Sequence, residues 1–175
     1  MILRKVLIGV IGMLISYPTL SQTIEEKKTD DFTGSKIIRT SEENLLRENG
    51  MFSYVRVSSI NNETVLNYRF MITGKIVTIN KGNALLLKLK NEKVVTLRLD
   101  DYVVAGYGNG AVGVLGSDAP GANLRFVLDS DQISMLKSSP IAKVRLYTDD
   151  GYIDSDVKKE KWSSNIQRLL ELIEE

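Results

Sequence analysis

The most suggestive spacing in the chain belongs to glycines. Gly108-Asn109-Gly110-Ala111-Val112-Gly113 matches G-x-G-x-x-G and follows an apparent strand at Tyr102 to Ala105. In a dinucleotide-binding fold such glycines open a helix whose N–H groups hold a pyrophosphate. Here Val114 to Gly121 comes next, and its glycines and proline leave no room for a helix of useful length. The stretch from Gly106 to Asn123, with six glycines, reads instead as a long irregular connection. Such connections are either flexible or functional, so Gly106, Tyr107, Gly108, Asn109, Gly110 and Gly113 form a candidate ligand or partner loop with no cofactor.

Carboxylates are the next group that could do chemistry. Asp149, Asp150, Asp154 and Asp156 offer hard oxygen ligands of the kind calcium takes, but their spacing departs from the EF-hand loop. An Asp-Gly turn followed by acidic residues at a helix N-terminus accounts for them as well. Asp100, Asp101 and Asp129 could supply a carboxylate pair for glycoside hydrolysis, although their places at strand ends suit turns and caps. Lys81, Lys88, Lys90, Lys93 and Arg98 share a strand face with no aromatic residue between them, which predicts a solvated surface and no nucleic-acid site.

The missing residue types exclude more than the present ones suggest. The chain has no histidine and no cysteine. Ser-His-Asp and Cys-His catalysis, thiolate metal sites and His-ligated metals are therefore ruled out. Any reaction would have to run on carboxylates, lysines, tyrosines or serines.

The elements that must position these groups centre on Val65 to Leu99. Leu66, Tyr68, Phe70 and Ile72 alternate with polar or exposed positions, as do Leu85, Leu87 and Leu89, then Val95, Leu97 and Leu99. This is the period of strands with one buried face. Parity requires an odd loop between the last two strands, so Leu87 is expected opposite Leu97 and Leu89 opposite Val95 across Asn91-Glu92-Lys93, with Lys93 left-handed. The same arithmetic pairs Val77 and Ile79 with Leu87 and Leu85 across Lys81-Gly82-Asn83.

Before this meander, Lys36 to Arg39 reads as a strand, and Thr40-Ser41-Glu42-Glu43 as a capping box opening a helix that Asn49-Gly50 ends. Phe52 to Ser59 is a strand whose pattern slips, which predicts a bulge. After the glycine-rich stretch, Leu124 to Leu128 resumes the alternation. A short helix capped by Asp129 or Ser130 carries Ile133 and Leu136 inward, and Ile141 to Thr148 is a strand. A C-terminal helix is expected from about Asp154–Asp156 to Glu174, with Trp162, Ile166, Leu169, Leu170 and Ile173 as its apolar stripe.

Residues 1–21 have the layout of a signal peptide: Arg4 and Lys5, an apolar run from Val6 to Ile15, then Pro18 and the small residues Thr19 and Ser21. The apolar run is about half of the roughly 20 residues a spanning helix needs. Cleavage before Gln22 would leave 21 basic and 22 acidic residues, so bulk charge draws the protein to neither nucleic acid nor anionic lipid. The charged segment 22–35 is expected as a mobile leader, and 36–175 as one domain.

The signal peptide with Asp31-Phe32-Thr33-Gly34 and Arg39-Thr40-Ser41 resembles a group of small exported, uncharacterised proteins of the Bacteroidota. The run Ile133 to Thr148, with its strand Ile141-Ala142-Lys143-Val144-Arg145, is also similar to that group. The resemblance implies bacterial export and brings no activity with it. The expectation is an α+β fold: a strand-rich antiparallel sheet or sandwich with two short helices and a C-terminal helix packed on it. It would be a periplasmic or secreted, non-catalytic binding or accessory protein. Its partner would be a protein or glycan, without stable membrane insertion after signal cleavage. A carboxylate-based hydrolase acting on glycans or cell-wall material, and an envelope assembly component, are the alternatives.

Overall fold

The computed structural model describes residues 23–48, 50–106 and 120–174, and the segment expected to be a signal peptide lies outside the described residues. The fold is mostly antiparallel β-sheet with three short helices. In the larger sheet, β1 (Ile24–Thr29), β2 (Lys36–Thr40), β4 (Met51–Ile60), β5 (Glu63–Ile72) and β10 (Gly121–Val127) lie in that order, with β3 (Glu43–Glu48) also paired to β4. A second sheet has the order β12 (Gly151–Asp156), β11 (Ile141–Thr148), β7 (Gly82–Leu89) and β8 (Val94–Leu99). The two-residue strands β6 (Thr78–Ile79) and β9 (Val103–Val104) pair with each other.

One hydrophobic cluster joins the two larger sheets. It takes Val55 and Val57 from β4, Leu66, Tyr68 and Phe70 from β5, Leu85, Leu87 and Leu89 from β7, and Val144 and Leu146 from β11. The residues expected to face inward on the strength of their alternation do so: Leu87 and Leu97 are almost fully buried. Burial of these side chains is the main favourable term holding the sheets together.

Helix α1 (Ser130–Ser138) starts at a capping box, in which the Asp129 carboxylate accepts from the Gln132 N–H at 2.7 Å and the Gln132 side chain accepts from the Asp129 N–H at 3.0 Å. Helices α2 (Glu160–Ser163) and α3 (Asn165–Leu172) close the chain. Ile166, Leu169 and Leu170 of α3 enter the core, and α3 packs on β3 and β4 of the larger sheet. Asn165, fully buried, donates to the Asn44 carbonyl at 2.6 Å, so α3 also satisfies part of the otherwise open edge of β3.

Several expectations are corrected. The stretch expected as a mobile leader carries β1, held to β2 by a five-position register. The capping box at Thr40 opens no helix, because Glu43–Glu48 is a strand. Thr40 is buried, and its hydroxyl donates to the Val57 carbonyl at 3.0 Å and accepts from the Val57 N–H at 3.1 Å. A helix of so few residues is weak by itself, whereas β3 gains a full ladder on β4. A bulge between Asn44 and Leu46 lets the consecutive Leu45 and Leu46 both be buried. The bulge expected in Phe52 to Ser59 is absent: β4 and β5 pair without interruption from Met51–Ile72 to Ile60–Glu63 around a two-residue turn at Asn61 and Asn62, both of positive φ.

The meander is split between the two sheets. β5 stays in the first and β7–β8 belong to the second, while Ile79 pairs with Val103 and not with Leu85. The β7–β8 loop is odd, as parity requires, but it sits one residue earlier. Leu87 faces Val95 and Leu85 faces Leu97, and Glu92, not Lys93, takes the left-handed conformation at φ +67°. The Asp154–Asp156 region is the end of β12 and not the start of a helix, because the turn at Asp149-Asp150-Gly151, with Gly151 at φ +115°, returns the chain onto β11. The expected single C-terminal helix breaks at Ser164. There the Ser163 and Ser164 hydroxyls donate back to the Glu160 carbonyl at 2.7 and 3.3 Å and compete with the helical ladder.

Candidate binding face

The outer face of the larger sheet is assembled by register. On β4, Phe52, Tyr54 and Arg56 alternate with the buried Met51, Ser53, Val55 and Val57. On β5, Asn67 and Arg69 alternate with Leu66, Tyr68 and Phe70, and on β10 the exposed Asn123, Arg125 and Val127 alternate with Ala122, Leu124 and Phe126. Because the β4–β5 and β5–β10 ladders are both regular, these residues line up in rows across the strands. The rows are Phe52–Met71–Gly121, Tyr54–Arg69–Asn123 and Arg56–Asn67–Arg125. A fourth row runs Val127, Val65, Ser58, Arg39 and Glu26.

The arginines are held in place by rings and acids. Arg47, opposite Phe52 on β3, lies with its Cζ 5.2 Å from that ring's centroid, and Arg69 lies 4.8 Å from the Tyr54 ring. Arg69 also pairs with Glu42, Arg56 with Glu25 at 2.7 Å, and Arg39 with Glu26 at 2.7 Å. Lys28 and Arg39 hold the Glu26 carboxyl below the usual glutamate range, with the Lys28 hydrogen bond the larger influence. Glu25, Glu26, Arg39 and Arg56 line a 320 Å³ depression at one end of the face. The Arg56 Nε, buried there, has no hydrogen-bond partner among the described residues. Arg47 and Arg125 take part in no ion pair among the described residues.

Of the candidate loop, Gly106 is placed at the end of this face. It forms a two-way backbone pair with Gly121 at 3.0 Å, and the Pro120 carbonyl accepts from Ile72 N–H at 2.9 Å. Both ends of the glycine-rich connection are thus anchored at the Phe52–Met71–Gly121 row. Tyr107, Gly108, Asn109, Gly110 and Gly113 lie outside the described residues.

The acidic residues near the C terminus are separately engaged. Asp149 accepts from the Thr78 N–H at 2.9 Å, Asp150 pairs with Lys75 at 2.8 Å, and Asp156 pairs with Lys143 at 3.2 Å. Asp154 receives a two-point hydrogen bond from Arg145 at 2.6 and 2.7 Å, which holds its carboxyl below the usual range. Among the described residues no group of three or more acidic side chains could hold a metal ion. Asp129 caps α1 and Asp101 accepts from the Tyr102 N–H, so two of the three candidate hydrolytic carboxylates are engaged in caps and turns. The lysine face of the second sheet pairs in part with acids: Lys88 with Glu92 at 2.6 Å and Lys90 with Glu160 at 2.5 Å.

A smaller groove of 160 Å³ lies between the edges of the two sheets, lined by Leu45, Leu46, Arg47, Glu48, Asp156, Lys158, Lys159 and Trp162. Its two carboxylates are both tied to lysines, Glu48 to Lys158 at 2.5 Å and Asp156 to Lys143. Lys159 covers the Trp162 ring at 4.2 Å.

The sequence reading missed the arginine–aromatic face. Phe52-x-Tyr54-x-Arg56 was the available signal, since a strand puts those three side chains on one side. Its partners Arg69 and Arg125 come from strands whose order is set only by tertiary pairing. Among the described residues no helix is long and apolar enough to cross a membrane. Comparison with protein-family models, curated proteins and solved structures finds no match to this chain.

Proposed function

We propose that this is a non-catalytic binding or accessory protein, exported to the periplasm or beyond, that holds its ligand on the outer face of the larger sheet. The observation that carries the reading is the register of β3, β4, β5 and β10. It sets arginines, aromatic rings and asparagine amides into adjoining rows, with Arg47 and Arg125 uncommitted to any described acid. Such a surface presents directed hydrogen-bond donors on a rigid support. Reading residues 1–21 as a signal peptide supports the location. Two features favour binding over carboxylate hydrolysis. The carboxylate pairs that line a depression, Glu48 with Asp156 and Glu25 with Glu26, are already held by lysines or arginines, and the displaced carboxyls Glu26, Asp30 and Asp154 all move downward, away from general-acid character.

The test has two arms. Fractionation of producing cells should recover a chain that begins near Gln22 outside the cytoplasm, and full-length protein retained in the cytosol would overturn export. Soluble polymers screened by affinity electrophoresis should include one whose binding is lost in the R56Q/R125Q double variant. A ligand bound equally well by that variant would move the site elsewhere.

A further inference from the structure

We infer that the ligand of this face is an anionic polysaccharide, an extended glycan bearing carboxylate or sulfate groups. The inference rests on the binding reading above and adds the ligand's chemistry. Every cation on β3, β4, β5 and β10 is arginine: Arg47, Arg56, Arg69 and Arg125 in that order. Arginine presents a planar fork that meets a carboxylate or sulfate at two points, which a lysine ammonium does not. With Arg39 counted, five arginines stand against Glu25, Glu26, Glu42 and, at the start of β5, Glu63, so the face keeps a small excess of positive charge that an anionic chain would balance. Strand spacing puts Arg56 and Arg125 about 10 Å apart in one row, a separation that suits charges spread along a polymer more than one compact anion, while Arg69 beside them is mostly buried against Tyr54 and Glu42.

The same geometry selects among anionic polymers. The Phe52 and Tyr54 rings already carry the Arg47 and Arg69 guanidinium groups. One face of each ring is thus covered, which leaves less of the open stacking platform on which single-stranded nucleic acid depends. A peptide adding as a strand needs a free backbone edge; β4 and β5 have partners on both sides and offer side chains only, while β10 ends the sheet with β5 as its partner. Asn67 stands between Arg56 and Arg125 in its row and Asn123 beside Arg69 in the next, and each amide both donates and accepts, as neighbouring sugar hydroxyls require.

Isothermal titration and affinity electrophoresis of the chain from Gln22 to Glu175 would use polygalacturonate, its methyl ester, dextran sulfate and dextran, with oligothymidylate and polyglutamate as competing classes. Polygalacturonate or dextran sulfate should bind, and its uncharged counterpart should bind at least about tenfold more weakly. R56Q and R125Q should each weaken binding several-fold, R98Q on the second sheet should not, and added salt should weaken it throughout. Dextran binding as tightly, with the same loss in R56Q, would leave the face as the site and overturn its preference for anions. Tighter binding of oligothymidylate or polyglutamate would overturn the polysaccharide assignment. An R98Q effect equal to that of R125Q, or no polymer binding at all, would overturn this inference and the binding face together. Near-ultraviolet circular dichroism checks the fold; Arg125 is exposed and lacks an ion pair among the described residues, so its substitution should leave the spectrum unchanged.

Discussion

Replacing Tyr68 with phenylalanine should destabilise the protein at neutral pH and cease to do so in alkali. Tyr68 is fully buried in the core, and its hydroxyl is turned toward that of Ser53, also fully buried. This weak mutual contact is the one that either oxygen has among the described residues. Removing the phenol hydroxyl leaves Ser53 alone in an apolar site, which costs about 1 kcal/mol. Burial pushes the Tyr68 phenol well above its ordinary value, and the nearby Ser53 only partly offsets this. A group whose folded pKa is raised contributes stability that is complete below the unfolded pKa and is lost as pH climbs toward the folded value. The unfolded tyrosine ionises near pH 10, so by pH 11 the wild type should have lost about 1.4 kcal/mol through this residue alone. Phenylalanine has no such loss, and the other tyrosines titrate alike in both proteins. Urea unfolding followed by Trp162 fluorescence should therefore show Y68F less stable by about 1 kcal/mol at pH 7 and equal or slightly more stable at pH 11. In the S53A/Y68F double variant the deficit at pH 7 should fall below the sum of the singles, because no lone hydroxyl remains. An identical difference at both pH values would refute the reasoning, since it would mean that Tyr68 ionises in the native state as readily as in the unfolded chain.

Asp129→Ala should lower the urea midpoint by an amount equivalent to about 1 kcal/mol, because it removes the carboxylate that accepts from the Gln132 N–H at the start of α1; an unchanged midpoint would mean that α1 is held by packing alone. Glu92→Gly should stabilise by roughly 0.5 kcal/mol in thermal unfolding, since glycine accepts φ +67° without strain and the Lys88 pair it gives up is exposed; a lower Tm would contradict the turn geometry. Asp154→Asn should flatten the acid limb of the stability–pH curve. Arg145 depresses the Asp154 pKa, so that contribution is present above the ordinary aspartate value and is lost as pH falls through the folded one. With both side chains about one-third exposed (34% and 32%), the loss at pH 7 should stay below about 1 kcal/mol in urea titration.

Period-2 alternation was enough to say which residues of β5, β7, β8, β10 and β11 face inward, because burying one side of a strand leaves its mark on every second residue. Local chemistry likewise marked the α1 cap, the Asp149–Gly151 turn and the parity of the β7–β8 loop, and the lack of histidine and cysteine closed off whole classes of reaction. What alternation does not encode is the neighbour across the ladder. Thr40 to Glu43 has the side chains of a capping box, yet the Val57 backbone claims the Thr40 hydroxyl and the segment becomes a strand. Ile79 is as apolar as a partner of Leu85 should be, yet it pairs with Val103. The candidate face belongs to this second kind of information. Arg47, Tyr54, Arg69 and Arg125 are scattered along the chain on four strands, each ordinary within its own segment. Only hydrogen-bonded pairing between distant strands sets their register and brings them side by side.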